Sequence, residues 1–242
     1  MIYAIGDIHG QIALLEQALE RIEADGDQDA QVVFLGDVTD RGPASREVLD
    51  LLITCQEANP GWIFIKGNHD RMFHWYLEPT PKHDLRLRLG LNWLDPRLGG
   101  DKTLASYGVE VREGRSQRDI HKDARDAVPR RHVEFLEGMQ LSYQTQDLLF
   151  VHAGIRPNIP LRKQREEDLL WIRDEFLDHT QPHESLIIHG HTIVGSPTHY
   201  GNRVNLDGGA AKGQEIMPAV FEGKDVFVLT SRGREKINTD IK

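Results

Sequence analysis

Three short apolar runs constrain this chain more than any other feature. They are "IYAIGD", "QVVFLGD" and "WIFIKGN", and each ends in a glycine followed by Asp or Asn. Runs of this length, closed by a turn residue, read as buried strands. Between the first two, "IALLEQALERI" places Ile12, Leu15, Leu19 and Ile22 at helical spacing, and Val48, Leu52 and Cys55 repeat that spacing between the second and third. The order is β-α-β-α-β. Such alternation implies a mostly parallel sheet, with a ligand crevice just beyond the carboxyl ends of the strands. Asp7, Asp37 and Asn68 sit on that edge.

From about Glu78 to Asp147 the pattern changes to broken, charged pieces such as "RLRLGLNWLDPRLGG", read as a helical insertion. Strand signals return in "LLFVHAG", "SLIIHGH", "RVNLDGG", "PAVFEG" and "DVFVLT". Residues 1–242 are expected to form a single domain carrying that insertion. A net charge of −9 argues against a nucleic-acid surface, which needs clustered Lys and Arg. The single cysteine, Cys55, reads as a buried helix residue and excludes an internal disulfide, which favours a reducing compartment. "MIYAIGD" has no basic region and too short an apolar run for a signal peptide, and no later stretch is apolar enough to span a bilayer. A cytoplasmic location without membrane partners is the expectation.

The polar residues that close these strands form one chemical set: Asp7 and His9 in "GDIHG", Asp37 in "GDVTDRG", Asn68 and His69 in "GNHD", His152 in "HAG" and His191 in "HGHT". Carboxylates, a carboxamide oxygen and neutral imidazoles suit divalent Mn, Fe or Zn, and one aspartate can bridge two ions. Any one of these motifs alone could be a helix cap, a turn or a core histidine. Their shared order and placement at strand ends point to a dinuclear site. His189 reads as a supporting or structural residue, and the remaining histidines as surface or packing residues.

These motifs resemble the phosphoprotein phosphatase branch of the calcineurin-like metallophosphoesterases, including small bacterial and bacteriophage lambda-type Ser/Thr protein phosphatases. "SYG", "LLWIRDEF" and "HGHT" extend the similarity over most of the chain. The resemblance implies an α/β fold, a metallophosphoesterase β-sandwich flanked by helices (α/β/β/α). It implies one metal ion held by Asp7, His9 and Asp37, and a second held by Asp37, Asn68, His152 and His191. The two ions are expected to be manganese, with iron or zinc as alternatives. Arg41 and Arg173 would bind phosphate oxygens through paired guanidinium hydrogen bonds. His69, oriented by Asp40, would protonate the leaving group after in-line attack by a metal-bridging hydroxide.

Two departures bear on the substrate. Ile193 stands where many other metallophosphoesterases carry a further metal-binding histidine, and this favours the phosphoprotein phosphatase branch. "GNHD" replaces the "GNHE" of many relatives, a form that symmetrical dinucleoside tetraphosphate hydrolases also show. Asp40 tilts the reading the other way, because those hydrolases tend to lack an aspartate before the arginine. The leading expectation is therefore a phosphoserine/phosphothreonine protein phosphatase. The alternative is a diadenosine tetraphosphate hydrolase, and a catalytically dead metal-binding scaffold is the third reading.

Overall fold

In the computed structural model, which describes residues 1–26, 30–223 and 225–239, the apolar runs become strands of two stacked sheets. β1 (Ile2–Ile5), β2 (Gln31–Phe34) and β3 (Ile63–Phe64) run parallel, with α1 (Ile12–Asp25) and α2 (Ser45–Ala58) as crossovers. The second sheet is built on β5 (Leu148–Val151), β6 (Leu186–His189) and β8 (Arg203–Asn205), also mutually parallel. β4 (Ser142–Gln144) and β7 (Thr198–His199) close its edges antiparallel.

Strand alternation sorts the core into layers. Tyr3, Ile5, Val32 and Phe34 pack against the helices, while Ala4, Val33 and Leu35 face the second sheet. Phe150 and Ile188 meet them from the other side, and Leu149, Val151 and Ile187 turn outward to Leu169, Ile172 and Phe176. The result is helices, sheet, sheet, helices. A fully buried Leu, Ile or Phe contributes roughly 1.5–3 kcal/mol. A one-residue slip would turn every such side chain to the wrong layer, so the register is firmly set.

The first sheet is less parallel than expected. β9 (Ala219–Glu222) joins the free edge of β1 antiparallel, followed by β10 (Asp225–Thr230) and β11 (Gly233–Lys236). The connections within this meander are too short for crossovers, so only antiparallel pairing is open to it.

Residues 78–147 differ in part from a purely helical reading. After α3 (Asn68–Leu77), residues 78–99 form turns, followed by α4 (Gly100–Ser106), α5 (Gln117–Ala127) and α6 (Arg130–Gly138). Their apolar side chains, including Leu104, Tyr107, Ile120 and Leu136, join the same core cluster as α1 and α2. Cys55 is only half-buried, since the face of α2 that packs fully is that of Val48, Leu49 and Leu52. Among the described residues, no helix is long and apolar enough to cross a membrane.

Candidate active site

Because β1, β2 and β3 run parallel, as do β5, β6 and β8, their carboxyl ends deliver side chains to one edge of the sandwich. The turns there are strained. Six non-glycine residues have positive φ among those described, and five of them are His9 (51°), Asp37 (50°), Asp40 (70°), Arg41 (65°) and His191 (65°). A left-handed backbone costs a non-glycine residue on the order of 1–3 kcal/mol and persists only where the surroundings over-determine it. Two motif glycines permit the crowding. A Cβ on Gly67 would overlap Asp37 Oδ1, and one on Gly190 would overlap Asp7 Oδ1.

The resulting cavity, of about 280 Å³, is lined by Asp7, His9, Asp37, Arg41, Asn68, His69, Arg173 and His191. Two triads, His9–Asp37–His69 and Asp37–His152–His191, each have donor atoms within 4.8 Å of one another, and Asp37 belongs to both. Asp7 Oδ2 lies 3.9 Å from His9 Nε2, and its carboxylate also accepts from the backbone N–H of His191 at 3.1 Å. Arg173 lies not on a helix surface but at the break between α7 (Glu166–Trp171) and α8 (Asp174–Leu177). There its guanidinium donates to Thr192 Oγ1 at 3.0 Å and to the His191 carbonyl at 3.3 Å.

The protonation pattern suits cations. His9 Nδ1 donates to the Thr39 carbonyl at 3.0 Å and His152 Nδ1 to the Leu35 carbonyl at 2.8 Å, which leaves the Nε2 lone pair of each free. His152 Nε2 faces Asn68 Oδ1 at 3.0 Å. Two lone pairs so placed are both satisfied by a shared cation. His191 Nε2 is buried with no hydrogen-bond partner at all. Burial holds His9, His69 and His191 well below the usual imidazole range and His152 at about 3, so all four are neutral, as metal ligands must be. Burial also pushes Asp7 and Asp37 well above the usual carboxylate range, reinforced by Asp207 beside Asp7 and by Asp70 beside Asp37. Bound cations would reverse that logic and hold these carboxylates ionised. The donor set therefore fits divalent metal.

Residues 1–211 match the family described as calcineurin-like phosphoesterases. This chain belongs to that family. The phosphoesterase is 23% identical to a bis(5′-nucleosyl)-tetraphosphatase of the asymmetrical kind from Oceanobacillus iheyensis, over 94% of this chain and 91% of the relative. It is 32% identical to a symmetrical bis(5′-nucleosyl)-tetraphosphatase from a Janthinobacterium species, over 64% of this chain and 44% of the relative. Its fold is similar to that of a cold-active protein-tyrosine phosphatase from a Shewanella species (TM-score 0.62, 16% identity, 98% of this chain and 80% of the other). That last likeness is one of fold alone. The two curated relatives carry the name of the alternative sequence expectation, a dinucleoside tetraphosphate hydrolase, rather than that of the leading one, a Ser/Thr protein phosphatase.

Sequence reasoning missed several residues of the phosphoesterase site. Asp207, Leu98 and Trp171 also line the cavity, with the Trp171 ring edge-on to His191 at 5.9 Å. Asp207 had a signal, because "NLDGG" closes β8 as "GD" closes β1 and β2. Trp171 stood in the motif "LLWIRDEF" but was given no role there, and Leu98 had no signal. Asp70, noted only as a departure, is fully buried and fastens two motifs together. Its Oδ1 accepts from the N–H of Val38 at 3.0 Å, and its Oδ2 accepts from that of Gly67 at 2.9 Å.

Proposed function

We propose that this chain hydrolyses bis(5′-nucleosyl) tetraphosphates with the help of two divalent metal ions. The observation that carries the reading is the match to a tetraphosphatase over 94% of this chain and 91% of that relative. Asp7, His9 and Asp37 would hold one ion, and Asp37, Asn68, His152 and His191 the other, with manganese, iron or zinc all compatible with the donors. When bound, such ions lower the pKa of water and offset phosphate charge. Arg41 and Arg173 both line the cavity, and their guanidinium groups would clamp the non-bridging oxygens of a phosphate placed there. His69 stands beside them, with Arg41 Nη2 3.4 Å from its Nε2, so one arm of the clamp also orients the imidazole.

Incubating the metal-loaded protein with diadenosine tetraphosphate and separating the nucleotides tests this. ATP plus AMP is expected, as named for the relative that spans nearly the whole chain; two ADP would mark the symmetrical mode of the other relative. No turnover of this substrate under any of the three metals would refute the reading.

One observation favours a second activity on small phosphomonoesters. His69 Nδ1 lies 2.7 Å from Asp40 Oδ2, the arrangement of an imidazole positioned for proton transfer. A nucleotide leaving group departs as a stable anion and has little need of a proton. An alkoxide does need one. Hydrolysis of an alkyl phosphate at a rate dependent on His69 would establish this activity, and its absence would discard it.

A further inference from the structure

We propose that Trp93 and Thr103, supplied by the segment between β3 and β4, are positioning residues that clamp the Asp40 carboxylate and so fix the tautomer and ring plane of His69. Asp40 is completely buried, and its two oxygens are divided between these partners. Oδ1 accepts from the Thr103 hydroxyl at 2.7 Å; Oδ2 accepts from the Trp93 indole N–H at 2.8 Å and from His69 Nδ1 at 2.7 Å.

The hydrogen bonds form one consistent chain. Thr103 Oγ1 has a single proton, given to Asp40 Oδ1, so it must accept from the Asp40 backbone N–H at 2.9 Å and from Ser45 Oγ at 3.0 Å. Ser45 Oγ in turn accepts from the same Asp40 N–H at 3.1 Å. Carboxylate and backbone of Asp40 are thus held by one threonine, which stabilises the left-handed conformation at φ 70°. The indole is equally confined, stacked on Phe73 at 5.3 Å between ring centroids and tilted against Tyr76 at 4.7 Å.

With both oxygens engaged, the ionised carboxylate of Asp40, present above the value of about 7 to which burial pushes it, accepts from His69, and the imidazole then carries its proton on Nδ1. Nε2 then faces the cavity with its lone pair, and it delivers a proton to a leaving group only after taking one up to become the imidazolium that the Asp40 carboxylate stabilises. Removing either partner leaves a carboxylate oxygen free to rotate toward solvent or toward Arg41, and the ring loses the contact that selects its tautomer. The three residues span 53 and 63 positions of sequence, so the clamp exists only when the segment is docked. Hydrogen-bonding partners one layer out from a working imidazole typically alter activity by about 10–100-fold.

The inference rests on the proposed hydrolase reading for its catalytic meaning, but its geometry is tested on metal-free protein without any substrate. Nitrogen-15 spectra of histidine-labelled protein should show His69 purely as the Nδ1–H tautomer in the wild type. Trp93→Phe, which keeps an aromatic ring in place, and Thr103→Val, which keeps the shape, should each introduce the Nε2–H form. Thr103→Ser should restore the wild-type spectrum. In metal-loaded protein the first two variants should lower kcat for an alkyl phosphate, whose leaving group needs the proton, about 10–100-fold. KM and metal content should stay unchanged. A pure Nδ1–H tautomer in both variants overturns the proposal whatever the rates do. If one variant fails to fold, the other decides. A wild type that shows the tautomer but cleaves no tetraphosphate refutes the hydrolase reading and leaves the clamp standing.

Discussion

The strand-end turns and the segment between β3 and β4 meet at Asp40, and they are built on opposite plans. The turns hold five left-handed non-glycine residues and buried charges, whereas residues 78–147 contain no such residue and contribute helices of ordinary geometry. The turns are positioned by six parallel strands whose register cannot slip without inverting the core. Strain and buried charge are affordable only on that frame. The segment adds side chains that reach in from outside, and its own edges are loose: Leu85 and Leu89 are 92% and 105% exposed. The candidate metal donors thus stand on the rigid sheets, and the proposed clamp on Asp40 stands on the segment packed over them.

The sharpest way to break this contrast is to remove a donor from the frame. Asp37→Asn or His191→Ala should abolish binding of at least one ion per chain and cut activity by more than the roughly 10–100-fold that outer partners account for. The same variants should lose the thermal stabilisation that metal confers on the wild type, about 2.7 kcal/mol at a hundredfold excess over Kd. Elemental analysis and calorimetry check both. Two ions retained with normal turnover would place the metal elsewhere.

A smaller but more selective loss is expected from His69→Asn. If its imidazole serves the leaving group, an alkyl phosphate should slow by about 10²–10⁴-fold while p-nitrophenyl phosphate, whose phenolate leaves unaided, slows little. Equal losses on both would assign His69 to metal or phosphate binding, since it also stands in a donor triad with His9 and Asp37.

Arg41→Ala and Arg173→Ala should each weaken inorganic phosphate as an inhibitor by about 10–150-fold, the 1.5–3 kcal/mol of a hydrogen bond to a charged group, with metal stoichiometry intact. Unchanged inhibition constants would remove the clamp from the site. At the far end of the scale, Leu85→Ser and Leu89→Ser should shift unfolding free energy by no more than about 0.5 kcal/mol, as measured in urea. A larger shift would show that this loop is part of the frame after all.

Much of the frame was legible before any coordinates. An apolar run, a glycine and a polar residue, repeated with helical spacing between, already placed Asp7, Asp37 and Asn68 on one edge, and the structure gathers His9, His69, His152 and His191 there with them. The relatives favour the alternative substrate over the leading one, and the cue used for the leading one, an aspartate before Arg41, concerns proton delivery and not the shape of the substrate. Asp207 was legible and overlooked.

The sequence alone determined where the strands end and which donors stand there, because strand alternation, turn glycines and helical spacing are short-range and stereochemical. Tertiary structure alone decided that β9–β11 pair antiparallel with β1, and that Arg173 enters the cavity from the break between two short helices. It also decided that Trp93 and Thr103 find the carboxylate of Asp40 across 53 and 63 residues. No local periodicity encodes such contacts. They follow from how the segment packs on α2 and α3, where burial of Leu104, Tyr107 and Leu136 brings the polar side chains beside them into reach of the site.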